Sequence, residues 1–353
     1  MVCEELSPAM STCLIGGIEG GATHSHAVIM NSDGEIVGDA HGPGTNHHLI
    51  GMPECSNRIA SLVIESKKKA GLPVSIPLRA LGLSLSGCEL EPSNNKFLKI
   101  ILETHPHLAE KLVVGSDTDG SVAAISNNGG LTCIAGTGSN TLLVNPDGTR
   151  AQCGGWGNLL ADEGSAWHMS YRAVKYCFDD IDNFEKAPYP IDRVWELVKS
   201  HFKIEKQADI LDSFYNKFDK SFIASMTKSL SELARDGDKL SQEIFREAGT
   251  HLAKSISAVV PKASPELTQQ EGGIHVICVG SVWLSWDLLK LGFIDCLRKN
   301  RSVTKMTLVR LKTEMGVGAA FMAADKLNLP LARDYSKNYK AFFIYVNASC
   351  NGS

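Results

Sequence analysis

Two glycine-rich turns in the sequence have the composition of phosphate-binding loops. The first lies in GGIEGGATHS at residues 16–25, and the second lies in GTGSN at residues 136–140. Because glycine has no Cβ, backbone N–H groups in such turns can approach phosphate oxygens closely, and threonine adds a hydroxyl donor. The residues available for this contact are Gly20, Gly21, Thr23, Gly136, Thr137 and Gly138. Either turn alone would also be typical of a tight hairpin, but both together favour phosphate binding.

The first turn differs from the common nucleotide-binding motifs. Gly16, Gly21 and Thr23 fit the spacing of a P-loop, but Ala22 stands where the phosphate-binding lysine belongs. The segments that follow, HAVIM, NSDG and EIVGDA, predict a strand, a turn and a strand instead of a helix. The glycines therefore cap a β-hairpin, and the spacing of a dinucleotide-binding fingerprint is also absent.

Carboxylates near these turns suggest phosphoryl transfer to a hydroxyl group. Such a reaction needs a carboxylate that accepts the hydroxyl proton. In LVVGSDTDGS, Asp117 comes first after a buried strand and is the preferred candidate, whereas Asp119 is adequately explained as a helix cap. Glu19 would repel phosphate, but it could hold the waters of a magnesium ion.

The segment CGGWGNLLADEGSAW, residues 153–167, has the composition of a sugar-binding loop. Its glycines leave space around Trp156, whose ring could stack on a sugar, and Asp162 could accept hydrogen bonds from sugar hydroxyls. Two ordinary alternatives remain open: Trp156 could belong to the core, and Asp162 or Ser165 could cap a helix.

Repeated strand patterns indicate how these residues are positioned. The strand–turn–strand pattern that begins before Gly16 is repeated in the segment that begins at Leu131, and NSDG and NPDG occupy corresponding positions in the two copies. This predicts a duplicated α/β fold with two mixed sheets flanked by helices and a cleft between the halves. Apolar periodicity predicts helices over 57–71, 238–260, 285–300 and 315–328.

Composition excludes several classes of function. The chain has 353 residues and 43% hydrophobic residues. Its net charge of −4 does not indicate the basic surface that binds nucleic acid. No apolar run approaches the length of a membrane span, and the N-terminus lacks a signal core. The ten cysteines include no Cys-x-x-Cys pair and read as reduced, buried thiols. We therefore expect a cytoplasmic protein that binds neither nucleic acid nor membrane.

Taken in order, the motifs resemble those of the eukaryotic N-acetyl-D-glucosamine kinases, within the sugar kinase, actin and heat-shock-ATPase superfamily. The motifs are GGIEGGATHS, TNHHLIG, LGLSLSG, DTDGS, GTGSN, NPDG, CGGWGNLLADEGSA, VGSVWLSWDLL and GVGAAFMAA. The resemblance implies two ribonuclease-H-like (actin-like ATPase) domains, over 12–126 and 127–330, with a C-terminal helix over 331–347 that could complete the first. It also implies a homodimer.

The resemblance further implies an ATP-dependent, Mg²⁺-assisted phosphorylation of the sugar 6-hydroxyl, giving N-acetylglucosamine 6-phosphate and ADP. Asp117 matches the catalytic base of the family. The positions that match sugar-contacting residues are Asn46, Asp117, Ser139, Asn140, Gly155, Trp156, Gly157 and Asp162. Beyond the six turn residues, the positions that match nucleotide-contacting ones are Ala224 and Gly280.

The chain departs from the family at Ala22, His24 and Asp119, and at the start of the segment MGVGAA. The family loop commonly reads Gly-Gly-Thr-Arg, so Ala22 replaces a glycine and His24 replaces an arginine, and ATP affinity is the property that these changes put in question. Asp119 stands where a small apolar residue is more usual, and a second carboxylate close to Asp117 could raise the pKa of the base. These departures motivate an alternative, a non-catalytic sugar-sensing regulator with the same fold. A dehydratase-activating ATPase is disfavoured because the cysteines lack the grouping of iron–sulfur ligands.

Overall fold

The chain folds into two compact units. The computed structural model describes residues 13–88, 91–313 and 316–347. The first unit contains the described residues up to Asn127 together with Leu311–Lys340. The second unit contains Asn128–Arg310 together with the described residues from Ala341.

The first unit is built on a mixed five-stranded sheet with helices on its faces. Its elements are β1 (Ile15–Gly20), β2 (His24–Met30), β3 (Ile36–Pro43), α1 (His47–Ile50), α2 (Met52–Lys69), β4 (Ala80–Leu85), α3 (Glu91–Thr104), β5 (Leu112–Gly115) and α4 (Asp117–Ala123). The strand order is β3-β2-β1-β4-β5, with the hairpin strands antiparallel and β1, β4 and β5 parallel. Strand β4 is buried throughout, as expected for a central parallel strand.

The second unit repeats this sheet and adds one strand. Its elements are β6 (Gly130–Ala135), β7 (Ser139–Val144), β8 (Arg150–Gly154), α5 (Ala166–Ile181), α6 (Asp192–Phe202), α7 (Lys220–Arg235), α8 (Lys239–Val259), α9 (Pro265–Thr268), β9 (Ile274–Val279), α10 (Trp286–Asn300), β10 (Lys305–Leu311) and β11 (Tyr339–Val346). Between β10 and β11 the chain forms α11 (Gly316–Leu327), which belongs to the first unit. The sheet order is β11-β10-β9-β6-β7-β8. Read from β8 to β10, it reproduces the order of the first sheet, so the predicted duplication of mixed sheets is confirmed.

Helix α11 belongs to the first unit, so the sequence-based assignment of 127–330 to one domain needs correction. The helix packs against β1, β4 and α4. Contact is close because glycines face it: a Cβ on Gly17 would lie 2.1 Å from the carbonyl oxygen of Gly316, and one on Gly82 would lie 1.9 Å from that of Ala319. The glycines of the sheet therefore create the surface on which this helix docks.

The C-terminal segment 331–347 is not a helix, contrary to the sequence-based expectation. It contains a short 3₁₀ turn at Tyr335–Lys337 and the strand β11, which joins the edge of the second sheet next to β10. The sequence of the strand, YKAFFIYV, is rich in aromatic and β-branched residues, which favour a pleated, half-buried surface. Strand formation therefore agrees with local propensity, and the strand completes the second unit.

The four helices predicted from apolar periodicity are present as α2, α8, α10 and α11. Met315, the first residue of the last predicted helix, lies outside the described residues, as does residue 12 at the predicted start of the first domain. Within the described ranges, none of the helices combines the length and the apolar character that crossing a lipid bilayer would require.

Candidate active site

In the first unit, the turn between β1 and β2 is held by backbone hydrogen bonds. Gly21 donates to the carbonyl oxygen of His24 at 3.0 Å, and Thr45 donates to that of Gly21 at 3.1 Å. A Cβ on Gly20 would lie 1.8 Å from Thr45 Oγ1, so the turn requires glycine at that position. The N–H groups of Ala22 and Thr23 find no acceptor among the described residues. Both are therefore available to an external anion.

Ala22 does not strain this turn. Among the described residues, the non-glycine positions with positive φ do not include Ala22. Alanine is therefore compatible with the conformation, and the departure from the family pattern carries no backbone cost. His24, the second departure, is exposed at the start of β2.

Two carboxylates of the first unit influence each other. Glu19 lies on β1, and Asp117 is the first residue of α4, directly after the N-cap Ser116. Burial, and secondarily the negative charge of Asp117, raise the pKa of Glu19 to about 8. At neutral pH the Glu19 carboxyl therefore holds a proton unless a cation replaces it. This pairing was not foreseen from the sequence.

Asp119 serves the helix, as the capping explanation predicts. Its Oδ2 accepts hydrogen bonds from Ser116 N at 3.0 Å and from Ser116 Oγ at 2.9 Å. Ser116 Oγ in turn accepts from Asp119 N at 3.3 Å, which completes a capping box. Asp117 is thus the carboxylate of this pair that does not form the cap.

Asn46, a predicted sugar contact, lies at the N-cap of α1. Its Oδ1 accepts from His48 N at 3.0 Å. Its side-chain nitrogen donates to none of the described residues. The cap fixes the orientation of the amide and leaves two N–H donors for a ligand.

The second glycine turn, in the second unit, is built on the same plan. Gly136 N donates to the carbonyl oxygen of Gly138 at 2.9 Å, while the N–H groups of Thr137 and Gly138 find no acceptor in the part of the chain that the structure describes. Gly280, with φ of 103°, abuts the turn: a Cβ there would lie 2.3 Å from the carbonyl oxygen of Ala135. Gly280 thus packs against the start of the turn, directly before the open N–H groups of Thr137 and Gly138.

Asp162 is buried beside this turn. It is 2% exposed, and its φ of 77° is a left-handed conformation that is costly for aspartate. Oδ1 accepts from Ser139 N at 2.9 Å, and Lys220 Nζ lies 2.7 Å from Oδ2. Capping of α5 falls to Ser165, whose Oγ accepts from His168 N at 3.1 Å. Asp162 therefore joins the turn to α7 through an ion pair.

The predicted sugar segment presents an exposed aromatic side chain. Trp156 is 66% exposed, which excludes a role in the core of the second unit. Gly155 and Gly157, on either side, have φ of 80° and 78°. A Cβ on Gly155 would lie 2.8 Å from Asn140 Cγ, so the Asn140 amide lies directly against this backbone. Asn140 Oδ1 is buried and accepts no hydrogen bond from the described residues. Because buried polar atoms are usually hydrogen-bonded, this oxygen is a candidate acceptor for a ligand.

Ala224 offers little surface to a nucleotide. It lies on α7 and is 4% exposed. Its carbonyl oxygen accepts from Ser170 Oγ at 3.5 Å, within the hydrophobic core. Ala224, a predicted nucleotide contact, therefore lies in the core of the second unit.

Lys220 is the residue that sequence reasoning missed. It is the first residue of α7, capped by Asp219 Oδ1, which accepts from Ser221 N at 2.8 Å. A Cβ on Gly138 would lie 3.1 Å from Lys220 Nζ, so the ammonium group borders the second turn. The only signal in the sequence is an aspartate–lysine pair at a helix start, which is too common to identify a site.

Comparison with known proteins gives a consistent picture. The model of the BadF/BadG/BcrA/BcrD ATPase family matches residues 17–323. An N-acetylmuramic acid/N-acetylglucosamine kinase from Clostridium acetobutylicum is 24% identical, over 88% of this chain and 98% of that protein. An N-acetyl-D-glucosamine kinase from Dictyostelium discoideum is 24% identical over 72% of this chain and 81% of its own length. Relatives are thus bacterial as well as eukaryotic, so the specifically eukaryotic resemblance is not confirmed.

Solved structures share the fold. A protein from Chromobacterium violaceum, provisionally assigned as an N-acetylglucosamine kinase, superposes with a TM-score of 0.68 at 22% identity, covering 88% of this chain and 99% of its own. The ROK hexokinase from Thermus thermophilus superposes with a TM-score of 0.53 at 13% identity, covering 89% of this chain and 99% of its own. The predicted fold class, two mixed sheets flanked by helices, is confirmed.

Proposed function

Because the chain belongs to the BadF/BadG/BcrA/BcrD ATPase family, we propose that it transfers the terminal phosphoryl group of ATP to the 6-hydroxyl of N-acetyl-D-glucosamine. The products are N-acetylglucosamine 6-phosphate and ADP. The observation that carries the proposal is the repeated turn: Ala22 and Thr23 in one unit, and Thr137 and Gly138 in the other, each present two unused N–H groups. Pairs of this kind bind phosphate oxygens without side-chain charge.

Asp117 accepts the proton of the sugar hydroxyl as the phosphoryl group transfers. Its place at the start of α4, next to the N-cap, fixes the carboxylate on a rigid element. Asp119, held by the capping box, does not compete for this role. General-base help of this kind contributes typically about 10²–10⁴-fold to a rate.

The donor set in the first unit fits Mg²⁺. Glu19 and Asp117 are carboxylates, and hard divalent cations prefer oxygen ligands and keep much of their water. Burial, with the charge of Asp117 added, raises the pKa of Glu19, so a divalent cation would favour the ionised form that the buried position disfavours. When bound, Mg²⁺ neutralises phosphate charge. Glu19 would hold its waters after giving up its proton.

The second unit supplies contacts suited to a sugar. The exposed indole of Trp156 can stack on an apolar sugar face, and the buried Asn140 Oδ1 can accept a hydroxyl hydrogen. Ser139 N donates to Asp162 Oδ1 at 2.9 Å, so the buried Asp162 supports the position of Ser139 beside the sugar segment. Gly155 and Gly157 let the backbone pass beside the tryptophan.

The alternative of a non-catalytic regulator is less well supported, because it was based partly on Ala22 and Ala22 does not strain the phosphate turn. Curated relatives that cover most of the chain are kinases of N-acetylated amino sugars. This supports catalysis over sensing, and N-acetylglucosamine over glucose, as the first substrate to test.

The proposal is tested by coupled measurement of ADP release with N-acetylglucosamine, N-acetylmannosamine, glucosamine and glucose. We expect release with N-acetylglucosamine, and we expect Asp117→Asn to lower kcat by about 10²–10⁴-fold. Asp119→Asn is the matched control, because it removes the same charge two residues away. It should cost about 1 kcal/mol of stability with little effect on kcat. Sugar-independent ADP release alone, or equal loss in both variants, would refute the assignment.

A homodimer and a cytoplasmic location remain predictions. The dimer is tested by light scattering of the purified chain, for which a mass near 38.1 kDa would indicate a monomer.

A further inference from the structure

Three potential metal ligands cluster on the β2–β3 hairpin of the first sheet, and one of them, His26, lies opposite Glu19 in the β1–β2 ladder. His26 lies on β2, and Asp39 and His41 lie on β3. Asp39 Oδ2 is 4.0 Å from His26 Nε2 and 3.9 Å from His41 Nε2. One ligand atom from each of the three residues falls within 4.8 Å of the others. The amino-sugar kinase reaction described above assigns no role to this group.

The cluster follows from strand register. His26 pairs directly with His41 across the antiparallel ladder, and Val28 pairs with Asp39. Because side chains alternate along a strand, His26, Asp39 and His41 project from one face. The His26 side chain is 7% exposed, whereas those of Asp39 and His41 are 42% and 69% exposed. A buried imidazole thus provides the floor of a site whose other two ligands open to solvent.

We propose that His26, Asp39 and His41 form a binding site for Zn²⁺ or a similar borderline divalent metal ion. Two imidazoles and one carboxylate are a donor set that zinc prefers and that magnesium does not. In a tetrahedral zinc site the ligand atoms lie about 3.4 Å apart, given Zn–N and Zn–O distances near 2.0–2.2 Å. The separations of 3.9 and 4.0 Å must therefore contract by about half an ångström.

His41 is the ligand that must move. Its ring stacks on that of His26, with centroids 4.0 Å apart and an interplanar angle of 20°. In stacked rings the nitrogen lone pairs run side by side, so the His41 ring must turn to point at a shared ion. The exposure of His41 allows this rotation without disturbing the core. Water would supply the fourth ligand.

Lys69 is the competitor for this site. Its Nζ lies 3.5 Å from Asp39 Oδ2, and its side chain is half-exposed at the end of α2. Exposed ion pairs of this kind contribute about 0–1 kcal/mol, so Zn²⁺ can displace the ammonium group. The bound metal would tie the edge strand β3 to β2 at the His26–His41 pair, two residue pairs inside the end of the ladder at His24 and Pro43.

The test is zinc binding by the intact protein after removal of metals with a chelator. Competition against a chromogenic chelator should give one zinc per chain, and Co²⁺ should give the intense visible absorption of a tetrahedral site. His41→Ala and Asp39→Asn should each weaken binding by about 100-fold or more. His107→Ala, which removes an exposed histidine elsewhere in the first unit, is the matched control and should bind as the wild type does.

Both ligand substitutions are at exposed positions, and unchanged thermal unfolding without metal would show that the variants are folded. The wild-type Co²⁺ spectrum does not depend on any variant. Failure of the wild type to compete for zinc, an octahedral Co²⁺ spectrum, or equal binding by His41→Ala and the wild type would overturn the proposal. Because binding is read without ATP or sugar, the result is independent of kinase activity.

Discussion

Replacing Glu19 with glutamine is predicted to stabilise the protein at alkaline pH and to impair its proposed reaction. The substitution keeps the shape of the side chain and removes its ability to ionise. Burial is the main reason that the pKa of Glu19 rises to about 8, and the charge of Asp117 adds to it. The native state therefore binds a proton at Glu19 that the unfolded chain has already released.

The sign and size of the effect follow from linkage. Between pH 4.5 and about 8 the folded protein carries more protons at this position, so the wild type loses stability as pH rises through that window. At 1.36 kcal/mol per pKa unit the full interval corresponds to an upper limit of about 5 kcal/mol. Because the Glu19 side chain keeps partial exposure, solvent reduces this, and we expect roughly 2–3 kcal/mol.

The assay is urea unfolding of the wild type and Glu19→Gln at intervals from pH 5 to pH 9. The difference between the two should be small at pH 5 and should grow to roughly 2–3 kcal/mol in favour of the variant above pH 8. Glu103→Gln, an exposed residue on α3, serves as the control and should show no such trend. Mg²⁺ should stabilise the wild type more than Glu19→Gln, since the amide carries no charge.

A pH-independent difference between Glu19→Gln and the wild type would refute the reasoning, because it would mean that Glu19 titrates alike in the folded and unfolded states. A variant that loses stability as pH rises, while the wild type does not, would reverse the sign and refute it equally.

Four further predictions concern the second unit. Trp156→Ala should raise KM for the sugar with little change in Tm, since the indole is 66% exposed; an unchanged KM would exclude stacking. Lys220→Met should cost about 3 kcal/mol in urea unfolding by leaving the buried Asp162 charge unpaired, and adding Asp162→Asn should restore most of it. Gly280→Ala should cost about 2 kcal/mol or more, because φ is 103° and a main-chain oxygen lies 2.3 Å from the new Cβ; wild-type thermal stability would contradict this. Burial lowers the pKa of His168 to about 4, so in the unfolded chain His168 takes up a proton at a higher pH than in the folded protein. The free energy of unfolding should therefore fall by up to about 3 kcal/mol as pH falls from 6.5 to 4, and His168→Asn should make it less dependent on pH in that range.

Local patterns predicted much of the fold correctly. The alternation around GGIEGGATHS and GTGSN indicated two glycine-capped hairpins, and both are present at the heads of the two sheets. The capping explanation of Asp119 followed from its position directly before GSVAAIS, and the structure places its carboxylate in a capping box with Ser116. The aromatic and β-branched residues of β11 favour a strand, whereas the family resemblance implies a helix over the same segment.

The composition and spacing of short segments determined the duplicated α/β fold, since turns and strand periodicity depend on residues a few positions apart. They also favoured Asp117 over Asp119 as the candidate base, which remains a prediction. Only the tertiary structure decided that α11 packs on the first unit, that Glu19 and Asp117 influence each other, and that Lys220 pairs with Asp162. These contacts join residues that are distant in the sequence, so no pattern within a short segment of the sequence predicts them. The cluster of His26, Asp39 and His41 depends on both: the sequence supplies the three potential ligands on neighbouring segments, and the β2–β3 register brings them together.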